Sequence, residues 1–445
     1  MKLETPRNIN YSATVVKLQS FVDLPNCDNV KHALIFGNSV IVSKASEAGE
    51  IGLFFPVECQ LSPEFMAANN LYRKAEWGNA DPTKTGFFEQ HGRVKAMKFR
   101  GHKSEGYWIN VNSLLFVGIN VNDLNEGDTF DKIGNHEICK KYIAGKSGLA
   151  SGGPNNKVSK LKDNIVDGQF KFHFDTDNFR KNLHKIKPTD YISISDKWHG
   201  TSAIYSKPLV VRKLNWFERI LKKIGIRVQD STYGFVYSSR RVIKCVDGKY
   251  GTDVYGIVAK EIADKIPNSY TVYGEIVGYN PEGWAAIQSA AGGRPYHYGC
   301  APGEHKFVIY RVKTTNVDGK TLELSWPQMK EFCSKYGLSI VHEFFYGPIT
   351  ALVPFSDFIF ENETESEQIG KWQKQVLAYL EKTFVNDQMC KFNNFEVPAE
   401  GVVIRIDFLD ECESYKLKNF KFLEDETKNN DAGILDMETA EAEQL

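Results

Sequence analysis

Several features are absent from this chain, and each absence excludes something. The eight cysteines include no Cys-x-x-Cys pair and no metal-finger spacing, so neither a disulfide framework nor a structural zinc site is expected. No apolar run approaches the ~20 residues a membrane-spanning helix needs. Residues 1–10 lack the apolar stretch of a signal peptide. There is no internal repeat. Net charge is nearly absent too, with 55 Lys plus Arg against 56 Asp plus Glu. Taken alone, that balance argues against a strongly basic nucleic-acid binder or a membrane-surface protein. The expectation is a soluble intracellular protein, cytoplasmic by default, with no membrane partner and no obligate protein partner evident.

What is present is a chain of 445 residues, 42% hydrophobic and 25% charged, long enough for two to three globular domains. Its charge is unevenly spread. Residues 1–140 hold 15 basic and 16 acidic side chains, 141–423 carry a net of +7, and 424–445 carry a net of -7.

Residues 1–140 read as short strands separated by Gly and Asn turns, among them Ala13 to Leu18, Ser39 to Val42, Arg93 to Phe99 and Tyr107 to Ile109. This predicts a small antiparallel barrel or sandwich. The alternation from Arg93 to Lys103 would place Arg93, Lys95 and Lys103 on one exposed strand face. That face is either simply solvated or a phosphate-contacting surface. Residues 141–164 have linker composition. Gly145-Lys146-Ser147 resembles the end of a phosphate-binding loop, but position 140 is Lys where that loop needs its first Gly. Residues 165–423 alternate strands with helical segments. Lys213 to Ile226 is an amphipathic helix expected to pack its apolar stripe. Trp326 to Tyr336 is a second helix, with Pro327 in its first turn and Gly337 as its stop. Residues 424–445 read as an acidic, solvated tail.

Four segments carry chemistry. The strand Tyr191 to Ser195 runs into Asp196-Lys197-Trp198-His199-Gly200-Thr201, presenting Lys197 beside a glycine. Tyr273-Gly274-Glu275 and Glu400-Gly401-Val402 each set one carboxylate among apolar neighbours. Ser414 to Asn419 puts Lys416 and Lys418 on one strand face. One alone is a weak signal, and a lone lysine in a turn is usually a surface residue. Together they can line a pocket with cations, two carboxylates and a nucleophilic amine. Such a set suits a nucleoside triphosphate and its metal. An amine must shed its proton before attacking phosphorus, and Lys416, Lys418 and a bound Mg²⁺ would favour that loss at Lys197. Glu400 could supply the oxygen ligand Mg²⁺ prefers.

These segments resemble the covalent nucleotidyltransferases, and within them the ATP-dependent RNA ligases of the nick-sealing and editing kind. Asp196 to Thr201 is similar to the nucleotidyl-acceptor motif, with His199 where DNA ligases and capping enzymes usually have Asp. Ser238-Ser239-Arg240 resembles the motif whose arginine contacts the nucleotide sugar, with Arg241 one position away as the alternative. Tyr273 to Glu275 resembles the ribose-holding motif. Ile287-Gln288 and Tyr296 to Gly299 resemble a stretch these ligases carry next. Phe307 to Tyr310 resembles the strand whose aromatic residue stacks on adenine, with Phe307 favoured. Glu400 to Arg405 and Lys416 to Asn419 match the last two motifs, and all stand in the family's order. The resemblance covers roughly 185–423. Asp196 and Ser202 depart from it, since many relatives have Glu and Asn there.

The resemblance implies an α+β architecture, with an N-terminal OB-like barrel (1–140) preceding a nucleotidyltransferase domain of ATP-grasp-like antiparallel sheets plus helices (165–423). No barrel fits after Lys418, where only 27 residues remain. It implies Lys197 as the AMP-accepting nucleophile, with Lys416 and Lys418 also catalytic. It implies ATP contacts from Asp196, His199, Gly200, Arg240, Glu275, Phe307, Glu400, Lys416 and Lys418, and Mg²⁺ or Mn²⁺ at Glu400. The implied substrate is RNA with 3′-OH and 5′-phosphate ends, held as a nicked duplex. An RNA guanylyltransferase and an inactive nucleic-acid-binding member of the same fold are the other readings.

Overall fold

The computed structural model describes residues 3–144, 161–173, 176–408 and 412–434. These form two compact units. One gathers 3–144, 177–184 and 420–434; the other gathers 161–173, 176, 185–408 and 412–419. Most of the expected linker, 145–160, and the acidic residues beyond 434 lie outside the described residues.

In the first unit, Ala13–Lys17 pairs antiparallel with Ile51–Phe55 on one side and Thr129–Phe130 on the other. Tyr107–Asn110 adds beyond Ile51–Phe55. Phe21–Asp23, Val30–Ile35 and Asn38–Ser43 form a separate three-stranded meander. Both faces of the first sheet are covered. Val15, Leu53, Phe55 and Phe130 enter one core, and Val16, Phe54 and Trp108 enter another with Val40 and Val42. The strands therefore pack as layers, and among the described residues no closed barrel forms. The barrel expected for 1–140 is corrected to open sheets.

The basic strand face is corrected as well. Met97–Phe99 and His102–Ser104 pair as a hairpin, while Arg93 only bridges Gln60. The hairpin's turn residues Arg100 and Gly101 both have positive φ, 48° and 87°, as a tight two-residue hairpin turn requires. Arg93 is no surface cation. Its side chain is 0% exposed, and its guanidinium donates to both Glu58 oxygens at 2.9 and 2.7 Å. Lys95 pairs with Asp431 at 2.9 Å, and Lys103 lies 5.1 Å from the Phe420 ring centroid. A buried arginine persists where a carboxylate meets its planar fork, and strand alternation cannot anticipate that partner.

The start of the acidic tail is the third correction. Phe420–Asp431 is a helix with Phe420, Phe422, Asp425 and Thr427 buried. Arg93 reaches Asp431 at 3.0 Å and the Thr427 carbonyl at 3.2 Å.

The second unit is built on two large antiparallel sheets, beside two short two-stranded ribbons. Cys412–Lys418, Gly401–Asp407, Tyr191–Lys197 and Glu343–Pro348 lie side by side in that order. The other sheet runs Ile243–Val246, Val236–Ser239, Thr201–Ser206, Tyr270–Gly278, His305–Thr315, Thr321–Glu323. The chain passes from one sheet to the other through Trp198-His199-Gly200. Helix Val254–Ile262 packs on the second sheet, where the Tyr255 hydroxyl meets Thr201 Oγ1 at 2.6 Å and the Tyr205 hydroxyl donates to the Tyr255 carbonyl. Helix Trp326–Tyr336 begins and ends as expected, with Gly337 left-handed at φ 61°. The amphipathic segment forms a shorter helix, Trp216–Lys223, whose apolar stripe is not packed. Among the described residues no helix is long and apolar enough to cross a membrane.

Candidate active site

Strand register assembles the charged cluster. Gly401 stands opposite Lys197 on one neighbouring strand and Lys418 on the other, and Val403 stands opposite Lys416. At φ 144°, a Cβ on Gly401 would lie 2.1 Å from the Leu417 carbonyl oxygen. Only glycine lets the strands close there. Asn419 ties down the segment before it, with its N–H on the Glu400 carbonyl at 2.9 Å and its side-chain amide on the Ala399 carbonyl at 3.1 Å.

Glu400 is thereby brought among cations. Its Oε1 accepts from Lys197 Nζ at 2.7 Å and lies 3.5 Å from Lys418 Nζ; its Oε2 is 3.9 Å from His199 Nδ1. Burial pushes this carboxyl up, but Lys197, Lys418 and His199 more than reverse the push and hold it at about 2. Lys416 goes the other way for an amine. Burial first, then the charges of Lys418, Lys197 and Arg240, bring it down to about 7.

The loop between the sheets is clamped. Gly200 N–H donates to Glu275 Oε1 at 3.1 Å, and its carbonyl accepts from Gln288 Nε2 at 2.9 Å. A Cβ at Gly200 would fall 2.2 Å from the Ile276 carbonyl oxygen, so no other residue brings the loop this close to Glu275. His199 N–H donates to the Tyr298 hydroxyl at 2.7 Å, and the Tyr298 ring stacks on Trp198 at 4.5 Å. Asp196, one residue before the lysine, is raised to about 6 by burial, with Trp198 and Lys391 pulling the other way.

The remaining expected residues divide. Arg240 is half-buried, and its charge acts on Lys416; the alternative Arg241 is exposed. Ser202 faces Glu275 across the strand pair and shares a 2.8 Å hydrogen bond with the Tyr310 hydroxyl. Phe307 does not join them. It packs edge-on against Tyr205 at 5.0 Å and over Gly274, where a Cβ would meet its ring at 2.5 Å. Strand alternation puts that surface opposite Glu275. Val308 pairs with Glu275, so Tyr310, two residues on, lies on the Glu275 side, next to a β-bulge between Tyr273 and Gly274.

Sequence reasoning missed His173. Its ring lies 5.4 Å from that of Tyr310. Burial pushes it well below the ordinary histidine range, reinforced by Arg311, Arg240 and Lys197. The Tyr273 hydroxyl donates to the Lys171 carbonyl at 2.9 Å and holds this segment. Nothing around His173 in the sequence signals the placement.

Glu400 Oε2 is buried and has no hydrogen-bond partner among the described residues. Such an acceptor fits a divalent cation or a water bound to one. No cluster of three His, Cys, Asp or Glu forms a full cage among the described residues. Mg²⁺ and Mn²⁺ commonly take one or two carboxylates and complete their shell with water and substrate phosphate, and Glu400 is a carboxylate of that kind.

A lysine where two antiparallel sheets meet, held on a carboxylate beside two further lysines, defines the nucleotidyltransferase class. The RNA ligase family profile matches residues 192–421, more than half of the chain, and the chain belongs to that family. In structure it is similar to Naegleria gruberi RNA ligase. A variant of that enzyme solved with ATP and Mn is 13% identical, with a TM-score of 0.54, covering 93% of this chain and 98% of that one. A second variant with ATP and Mn gives 13% and 0.53 over the same shares. The same ligase with PPi gives 12% and 0.51 over 93% and 97%. At these identities the likeness concerns the fold. No protein with a curated description matches the chain in sequence.

Proposed function

We propose that this protein is an ATP-dependent RNA ligase that joins 3′-OH and 5′-phosphate ends through a lysyl-AMP intermediate and seals nicks in RNA repair. The observation that carries the reading is the 2.7 Å contact between Lys197 Nζ and Glu400 Oε1, with Lys416 and Lys418 on the adjoining strand.

Deprotonated Lys197 Nζ attacks the α-phosphorus of ATP; an N–P bond forms and pyrophosphate leaves. Lys416 and Lys418 stabilise charge on the phosphoryl oxygens and the departing pyrophosphate. Glu275 holds the ribose while its Oε1 keeps Gly200 and the lysine loop in place. Arg240 serves the sugar, and Tyr310, in place of Phe307, lies against the base. An oxygen of the RNA 5′-phosphate then attacks the same phosphorus and releases Lys197 as the amine. Finally the 3′-OH attacks the activated 5′-phosphate, loses its proton, and AMP departs. Glu400 would hold a divalent cation, which would supply charge neutralisation of the phosphates. The Naegleria gruberi ligase structures that carry ATP and Mn support the choice of nucleotide and metal. Arg93 is withdrawn from the RNA-contacting set; Lys95 and Lys103 stay in it.

Incubation with radiolabelled ATP or GTP, followed by denaturing electrophoresis, tests the reading. Label from ATP that vanishes in Lys197→Ala is the expected result. Label from GTP alone points to capping chemistry, and none from either refutes an active transferase. Sealing of nicked duplexes with RNA or DNA on each side tests the substrate.

A further inference from the structure

Between the paired strands Leu209–Val211 and Ser231–Tyr233 the chain makes an excursion. Its stem is anchored. Val210 packs with Ile165, Val236 and Ile243, and Arg212 N–H donates to the Asp230 carbonyl at 2.8 Å. Beyond the stem, helix Trp216–Lys223 has no buried residue. Its own sequence defines it. The Asn215 side chain accepts from Glu218 N–H at 2.8 Å, and the Glu218 carboxylate accepts from Asn215 N–H at 2.8 Å.

The apolar side of this element faces solvent. Trp216 is 74% exposed, Phe217 55%, Ile220 45%, Ile224 65% and Ile226 48%. Single exposed apolar residues are ordinary, but five adjoining ones mark a contact surface. At 100° per residue, Trp216, Phe217, Ile220, Leu221 and Ile224 fall within an arc of about 140°. Arg219, Lys222 and Lys223 lie outside it. Residues 212–230 hold six basic and two acidic side chains. Two of the basic ones are ion-paired locally, Arg212 with Glu218 and Lys222 with Asp230, and a third, Arg219, donates through Nε to the Leu214 carbonyl at 3.0 Å.

Basic and aromatic residues together could also suit single-stranded RNA. Stacking platforms there use ring faces interleaved with cations. Here three of the five exposed residues are isoleucines, which cannot stack on bases, and charge is segregated from the apolar arc. Segregation of that kind matches a boundary between water and hydrocarbon, and the excess of lysine and arginine complements anionic headgroups. We propose that the 212–230 excursion is a membrane-docking element that takes an anionic lipid surface. The rings and isoleucines enter the headgroup boundary, and the basic side chains remain at the phosphate level. The near-zero charge of the whole chain does not oppose this, because the excess of +4 within 212–230 is local.

The test uses the full chain and vesicles of phosphatidylcholine, alone or with about 30% phosphatidylserine so that the surface is anionic. Flotation with the anionic vesicles, weak flotation with the neutral ones and release as salt rises are expected. The triple variant Trp216→Ser/Ile220→Ser/Ile224→Ser should bind the anionic vesicles at least about tenfold more weakly. Its lysyl-AMP formation should equal that of the unaltered protein, which also reports correct folding. The proposal falls if the full chain does not float with anionic vesicles at low salt, or if the triple variant floats as well as the unaltered protein. It falls equally if the variant keeps lipid binding but loses RNA affinity, or keeps lipid binding but turns a dimer into a monomer. Those two results would assign the face to RNA or to a second copy.

Discussion

Replacing Glu400 by glutamine keeps the side chain's shape and removes its charge. In the folded protein this carboxyl is held at about 2, against its ordinary 4.5, because Lys197, Lys418 and His199 outweigh its burial. That difference corresponds to about 3 kcal/mol favouring the ionised form, at about 1.4 kcal/mol for each pH unit. A carboxylate with a depressed folded value adds stability that is full above its unfolded value and lost as pH falls through the folded one. Denaturant unfolding at pH 7 should therefore show Glu400→Gln about 3 kcal/mol less stable. The gap should hold to about pH 5 and close toward pH 2. Loss of the same interaction where phosphoryl charge develops should slow lysyl-AMP formation by about a hundredfold or more. Equal stability at pH 7, or a gap that widens on acidification, would refute the counter-ion reasoning. Unchanged labelling would refute the catalytic part.

Other outcomes follow from the same geometry. With its amine near pH 7, Lys416 is mostly neutral at pH 8, so ATP binding there should take up a proton. Binding enthalpies should then depend on the buffer in the unaltered protein but not in Lys416→Arg, which stays protonated; buffer independence in both would sink the assignment. Tyr310→Ala should raise the ATP concentration needed for labelling, whereas Phe307→Ala, at a half-buried ring, should chiefly lower stability, by about 1–2 kcal/mol. The reverse pattern would return the adenine contact to Phe307. Arg93→Met leaves the buried Glu58 without its cation, held by hydrogen bonds from Asn430 and Thr427, and should cost about 3–5 kcal/mol in urea unfolding, with much of the loss recovered when Glu58→Gln is added. A negligible loss would show that the pair is not buried in solution.

Much of the second unit was legible because its signals are local. Pro327, Gly337 and the apolar spacing between them mark one helix. The alternation from Tyr191 to Lys197 and the Lys416/Lys418 spacing mark strands and a shared face. Register was not legible. Cross-strand pairing sets Phe307 against Ile276 and Val308 against Glu275, and that puts Tyr310, not Phe307, on the Glu275 side. The first unit misled for another reason. Its basic alternation describes a strand face only if nothing covers it. Glu58, 35 positions before Arg93, and Asp431, 338 positions after it, do cover it. The acidic run from 424 resembled a solvated tail, yet Phe420 and Phe422 supply an apolar face that orders its first turns as helix.

By itself the sequence determined the inventory and order of chemical groups: the lysine beside a glycine, the two strand carboxylates, the paired lysines, and the turn and cap residues that start and stop elements. These depend on residue type and on neighbours within a few positions. Tertiary structure alone decided which charges face each other and which are dry. It set Glu400 against Lys197, brought Lys416 down toward neutrality, placed His173 beside Tyr310, buried Arg93 and left Trp216 exposed. Burial and Coulomb pairing depend on distances between residues far apart in the chain, and only folding sets those distances.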